Sequence, residues 1–308
     1  LCSLILHPRP LPNARPHRTL DYPVRSGGTR INLGATERRT RLKCTVAQRP
    51  PVTWMRRGVV GVLALAALAL GYVRTAVERA VPFSPLFARW RVGADYLDRY
   101  GVETEDALSG EMDDVEAYAS DAFDPDALDP AVREFYEQTA SYDLDYAVRW
   151  HRGFRLGATL AARLTSRIEQ LNLPAPGEPG GRLRSRIVAV GEQSDPRDDA
   201  RAWVRTDESG TAVFVAIYAS HETDGRRFVN IAVPLPYSNL STVLLPRTTP
   251  GGGVELTTRA GTDDEGLYLV TPLGAVALPL SQRFRVWPDD GGVRATHEMW
   301  AFGRQFLT

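Results

Sequence analysis

Beyond Cys44 the chain has no cysteine, and Lys43 is the single lysine among 37 basic residues. Both cysteines, Cys2 and Cys44, precede the apolar run Gly58 to Val73, so a disulfide framework, a thiol nucleophile, a thiolate metal site and a lipid-bearing cysteine are excluded downstream of it. Histidine is scarce there too, with His151, His221 and His297 alone. No Gly-x-Ser-x-Gly elbow occurs, and Gly251-Gly252-Gly253 is followed by neither a lysine nor a helical pattern that would complete a phosphate loop. Residues 101–130 lack basic side chains altogether while carrying eleven Asp or Glu.

What is present first is the apolar run itself. Gly58 to Val73 is uncharged and flanked by Arg56-Arg57 and Arg74. A helix rises about 1.5 Å per residue, so this run falls a little short of the ~30 Å hydrocarbon core, a deficit that snorkelling arginines bridge. The expectation is a transmembrane signal anchor over residues 55–75, with membrane contact through residues 56–73. The 54 residues before it are rich in Arg and Pro and show neither a helical nor a strand period, which reads as a disordered basic tail or as sequence upstream of a true start at Met55. With the basic tail included, seven basic residues lie between Thr36 and Arg57 against four just after the run, which favours an extracytoplasmic position for the residues beyond it. A start at Met55 leaves only Arg56 and Arg57 before the run and weakens that bias, but Met-Arg-Arg ahead of an apolar run has the form of a signal anchor, and the exported orientation is kept.

The net formal charge of zero hides a division. Residues 1–75 carry 13 basic and 2 acidic side chains, whereas residues 76–308 carry 24 and 35. An acidic face of this kind argues against a nucleic-acid partner. An acidic, Lys-free domain rich in Ala, Val, Asp and Gly behind a single anchor resembles membrane-anchored proteins of haloarchaea, although high-GC actinobacteria share the Arg bias. The resemblance is one of composition and architecture and carries no functional residue with it.

Organisation downstream falls into three parts. Residues 76–130 read as a juxtamembrane and acidic linker, in which Phe83, Phe87, Trp90, Tyr96 and Tyr100 among arginines suit either a headgroup region or packing on the next domain. Residues 131–173 read as a helical segment, capped by Asp129-Pro130 and broken near Arg152-Gly153. Tyr142, Tyr146 and Trp150, then Leu156, Leu160 and Leu164, recur every fourth residue, which predicts a stripe buried against a sheet. Residues 180–308 change to period two, with turn signals such as Asp207-Glu-Ser-Gly210 and Thr223-Asp-Gly225 at hairpin spacing. The fold class is therefore α+β: an N-terminal transmembrane helix, a helical segment, and a C-terminal antiparallel β meander curled into a barrel or sandwich.

Chemistry is thinly signalled. His221-Glu222 and His297-Glu298 suggest a two-histidine metal site, but adjacent strand residues face opposite ways, so each dipeptide offers one member. Glu111, Asp113, Asp114 and Glu116 cluster without the ligand spacing and central glycine of a calcium loop. Tyr142, Asp145 and Arg149 are the starting point for any enzyme hypothesis, the alternative being a helix that seals one end of the sheet through paired charges. Asn239-Leu240-Ser241 is a glycan acceptor sequon in a predicted turn. No cofactor is implied. The expectation for function is a non-catalytic module that binds an apolar ligand or a protein partner at the membrane surface, with an enzyme or a structural envelope component as alternatives.

Overall fold

The computed structural model describes residues 4–8 and 81–308 apart from residue 291, so the expected anchor over 55–75 and the basic segment from residue 9 onward lie outside the described residues. Three α-helices occur among the described residues, besides short 3-10 turns: α1 (Tyr96–Tyr100), α2 (Pro130–Glu137) and α3 (Arg155–Ile168). None of them is long and apolar enough to cross a membrane. Strand β1 is Leu4–Pro8, β2 Thr104–Ala107 and β3 Tyr142–Tyr146. The meander follows as β4 (Gly181–Val190), β5 (Asp198–Thr206), β6 (Ala212–Thr223), β7 (Arg226–Leu235) and β8 (Ser238–Thr249). It continues through β9 (Gly253–Thr257), β10 (Gly266–Thr271), β11 (Gly274–Ala277), β12 (Leu280–Asp289), β13 (Gly292–Ala301) and β14 (Arg304–Leu307).

These strands form one antiparallel sheet in the order β11-β10-β8-β7-β6-β5-β4-β3-β1-β13-β12-β9. Besides pairing with β7, β8 serves two more neighbours, residues 239–243 pairing with β10 and residues 245–249 with β9. The far end of the path therefore returns against β8, while β11 remains an edge; the sheet is curled but not closed. The up-and-down pairing expected from the turn spacing holds from β3 through β8, and the departures are the long-range insertion of β1 between β3 and β13 and the fork at β8.

The helical segment expected over 131–173, with its break near Arg152-Gly153, is interrupted well before that break. Asp129 Oδ1 accepts from the Ala131 amide at 2.9 Å and starts α2, but α2 ends at Glu137 and the chain extends into β3. The sequence Tyr-Asp-Leu-Asp-Tyr satisfies both a four-residue and a two-residue spacing, and the unpaired edge of β4 decides for the strand. The acidic stretch is likewise no solvated linker: Met112, Val115, Tyr118, Phe123 and Leu128 are buried, and the intervening carboxylates cap turns, as Asp114 and Asp124 do for the amides of Glu116 and Asp126.

The inner face of the curled sheet buries a core that includes Leu144, Ile187, Trp203, Tyr218, Ile231 and Leu244, into which Val132, Phe135 and Tyr136 of α2 project. The outer face is covered by the strap of residues 81–102. Val92, Tyr96 and Leu97 pack there on Ala202, Val215 and Ile217, and Val81 packs on Phe228 and Tyr268. Central strands β5 and β6 are thus buried on both faces, which is why Ala212–Ser220 reads as an almost unbroken apolar run. A buried ion pair fastens the strap. Asp195 and Arg197 are fully buried, Ser84 Oγ donates to Asp195 at 2.6 Å, and Arg197 donates to the backbone and side-chain oxygens of Asn230 and to the Ile217 carbonyl.

Candidate functional site

A cleft of about 240 Å³ opens where residues 111–118 cross the ends of β5, β6 and β7. Gly110 makes the crossing: a Cβ there would stand 2.4 Å from the Glu137 carbonyl oxygen, so only glycine lets the loop press onto the end of α2. The Glu111 amide donates to Thr139 Oγ1 and the Met112 amide to the Tyr136 carbonyl. Arg201 of β5, its side chain 4% exposed, then pins the loop from below. It grips Asp113 with two hydrogen bonds of 3.0 and 2.7 Å and also donates to the carbonyls of Gly110 and Asp199.

A bulge in β5 supplies the opposite wall. Asp199 adopts a left-handed conformation (φ 54°) where the pairing with β6 shifts register between Asp198 and Arg201. Its carboxylate accepts from Ser220 Oγ at 3.1 Å and from Arg227 at 3.3 Å. Arg201 is therefore committed to protein acceptors, and Arg227 donates through Nη1 to Asp199 and Ser220 Oγ while its buried Nε has no partner among the described residues. The carboxyl of Glu111 and the hydroxyl of Tyr118 make no side-chain hydrogen bond with another described residue. Burial pushes Glu111 up to about 7, against the pull of Arg205 and Arg201. Burial also holds Tyr118 and Tyr218 in their neutral, hydroxyl form.

Behind the cleft lies Arg205, its guanidinium 3.5 Å above the Trp203 ring and donating to the Tyr218 hydroxyl at 3.1 Å. Burial and Arg205 together push His297 down to about 3, so its ring is neutral, stacked on Phe284 at 3.8 Å and hydrogen-bonded to Gln282. His221 is elsewhere, stacked on Phe228 beside Asp264, its pKa lowered mainly by burial. The two histidines thus sit in separate environments on β6 and β13, each held by its own aromatic partner. Among the described residues no three His, Cys, Asp or Glu side chains gather as metal ligands.

The other residues singled out from sequence are dispersed as well. Tyr142 is in the core against Phe135, Asp145 faces outward to Arg182, and Arg149 lies exposed beyond the end of β3, where its backbone pairs with Thr308. The four-residue spacing predicts all three on a helix, whereas the strand that forms sets Tyr142 and Asp145 on opposite faces. Asn239 is in β8 rather than a turn and is fully buried, its amide donating to the Ser84 and Leu86 carbonyls and its oxygen accepting from Ser241. Folded, it offers no nitrogen for a glycan.

Against known proteins, 230 residues of the chain are 34% identical to the uncharacterized membrane protein YndJ of Bacillus subtilis (strain 168), a match over 73% of this chain and 42% of that protein. The chain spans less than half of that relative's length. No family model and no solved structure matches. The relative is bacterial, and the haloarchaeal resemblance gains no support from it.

The cleft escapes sequence reading because its members come from three places. Glu111 and Tyr118 belong to the acidic stretch, where Glu111, Asp113, Asp114 and Glu116 read as one surface cluster. Arg201 and Arg227 sit in strands whose facing residues no local pattern reveals. The one available signal is the interruption of the acidic stretch by Met112, Val115 and Tyr118 at helical spacing.

Proposed function

We propose that this chain is part of a membrane protein, anchored through Gly58–Val73, whose β domain lies on the extracytoplasmic side and binds a small ligand bearing an ammonium group in the Glu111 cleft. The reading is supported by the similarity to a bacterial membrane protein and by the apolar run between arginines. For the ligand, the carrying observation is the imbalance of hydrogen-bonding capacity. Glu111, Asp114, Asp199 and Tyr118 offer acceptors, while Arg201 is engaged with Asp113 and Arg227 Nη1 with Asp199 and Ser220, which leaves the buried Arg227 Nε as the one donor here without a protein partner among the described residues. An alkylammonium supplies donors and one positive charge, and Met112, Ala117 and Val229 give its carbon chain an apolar wall. An apolar ligand inside the curled sheet fits less well, because the side chains of the inner core already fill that space.

Glu111 must be ionised for this role, so affinity rises as pH passes upward through about 7. Calorimetric titration of the detergent-solubilised chain with a series of primary alkylamines is the test, repeated at pH 6 and pH 8. At least tenfold tighter binding at pH 8, lost in Glu111→Gln, is the expected result; binding of carboxylates in preference to amines would refute the assignment. The alternative of an enzyme draws on one observation, a carboxyl titrating near neutrality beside a tyrosine, which suits proton transfer.

A further inference from the structure

Helix α3 is turned inside out relative to its sequence pattern. The leucine stripe expected to face the sheet is exposed: Leu156 by 85%, Leu160 by 66% and Leu164 by 62%. At 100° per residue these side chains lie on the side away from Ala158, the only buried residue of the helix, and the face toward the domain is made of small residues such as Ala162 and Thr165. Arg163 and Arg167 project among the leucines, whereas Arg155, at the first position of the helix, lies about 100° round from Leu156 toward the small-residue side; all three are exposed. From Ala147 to Ile168 there are five arginines and no acidic residue. The remainder of residues 76–308 carries 19 basic against 35 acidic side chains, so this helix and the residues leading into it bear the positive pole of an otherwise acidic domain.

Both ends of α3 are fixed. At the C-terminal end the Val92 amide donates to the Ile168 carbonyl and Arg91 pairs with Glu169. At the N-terminal end the His151 amide donates to Phe306, and Phe154 packs on the Phe306 ring at 5.7 Å. Two residues before Val92, Trp90 is 73% exposed and meets the exposed ring of Tyr237 edge-on at 5.6 Å.

We infer that α3 is an interfacial helix that lies on an anionic lipid bilayer, its leucines entering the acyl boundary and Arg163 and Arg167 meeting lipid phosphates. A rigidly held helix with one leucine face and a purely basic charge complement has the composition of such anchors. Arginine stems can cover apolar surface while their heads stay at headgroup level. Charge complementarity selects the occupant. A bilayer bearing negative charge attracts this face and repels the acidic remainder of the domain, so the same fields that bind the helix orient the molecule. The exposed Trp90–Tyr237 pair next to the C-terminal end of α3 suits the aromatic level of the same interface.

The experiment uses the full chain with Cys2 and Cys44 replaced by serine, reconstituted in vesicles of phosphatidylcholine alone or with about a third phosphatidylglycerol. An environment-sensitive fluorophore on Leu160→Cys is compared with the same label on Ser209→Cys, at an exposed hairpin tip. Expected is a blue-shifted emission at position 160 with quenching by doxyl-lipids at least threefold stronger than at position 209. That quenching should fall at least threefold without anionic lipid, and likewise when Arg163 and Arg167 are both changed to Gln. A blue shift without lipid quenching would mean that protein covers the stripe, and an unshifted signal that water does; either overturns the inference. Equal quenching in both vesicle types overturns the anionic preference. None of these outcomes depends on the Glu111 cleft.

Discussion

Replacing Gln170 with leucine tests how the sheet solves a local shortage of hydrogen bonds. The ladder between β6 and β7 stops at Ile217 and Ala232, and continuing its register would set Val215 opposite Pro234, which has no amide to donate. Gln170, fully buried, takes the missing position. Its Nε2 donates to the carbonyls of Val215 at 2.8 Å and Pro234 at 2.9 Å, and its Oε1 accepts from the Val215 amide at 3.0 Å. Glu169 and Leu171 on either side adopt left-handed conformations (φ 48° and 52°), which the side-chain bonds hold in place. Leucine has similar volume but strands two carbonyls and the Val215 amide, and also removes the acceptor of the half-buried Leu171 amide. At about 1–3 kcal/mol for each of the three fully buried groups, less about 1–2 kcal/mol for the added apolar burial, the net cost is about 1–8 kcal/mol.

Denaturant unfolding of the detergent-solubilised chain, followed by tryptophan fluorescence, measures that cost, and hydrogen exchange locates it. The Val215 amide should lose protection by the largest factor, with the Asn172 amide, which donates to the Val213 carbonyl, following it. Gln170→Glu should fare no better than the leucine variant, since an oxygen then replaces the nitrogen that faces two carbonyls. A loss below about 1 kcal/mol for Gln170→Leu, with Val215 still protected, would show that the strands pair without the wedge and would refute the reasoning.

Asp195→Ala should destabilise the chain by about 3–5 kcal/mol, because it leaves the buried Arg197 guanidinium without its carboxylate. The double replacement Asp195→Leu with Arg197→Met should cost less than either single change when compared by the same denaturation curves. His297, pushed down to about 3, is neutral in the fold but protonates in the unfolded chain below about 6.5, so its contribution is complete above that pH and is lost as pH falls. Between pH 6.5 and 5 the wild type should lose up to about 2 kcal/mol that His297→Phe does not, read as a difference in thermal midpoint across that interval.

Much of the β architecture is legible in the sequence because hairpins are local. Turn residues at Asp207–Gly210 and Thr223–Gly225 lie at the strand ends that the structure has, and β4 to β8 follow one another in space as in sequence. The features that stay hidden depend on partners distant in the chain. The fork of β8 requires β9 and β10 to compete for one strand, and nothing within β8 marks where the division falls. The helix-like spacing of Tyr142 and Tyr146 describes a strand equally well, and only the edge of β4 selects between them. The apolar continuity of Ala212–Ser220 does carry the information that both faces are covered, a signal stronger than the alternation looked for in a half-buried strand. The candidate cleft is illegible for a related reason: its uncommitted carboxyl and hydroxyl come from a stretch whose composition alone reads as solvated.

The stripe on α3 shows why amphipathicity identifies a face without identifying what it meets. Leu156, Leu160 and Leu164 have the spacing of a core-facing helix, and each buried leucine would contribute about 1.5–3 kcal/mol. The fold forgoes that gain. Its neighbours explain how: the Gln170 wedge and the Val92–Ile168 bond hold one end against β6, β7 and the strap, while the β14 contacts of His151 and Phe154 hold the other. A helix tethered at both ends presents whichever face its terminal contacts dictate, and here the small side of Ala158 and Ala162 is turned inward. Exposed leucines on a mobile segment would signify little, because the segment could fold back onto its own domain. On a helix fixed in this way they require an apolar surface supplied from outside, and the arginines interleaved with them require that surface to be negatively charged.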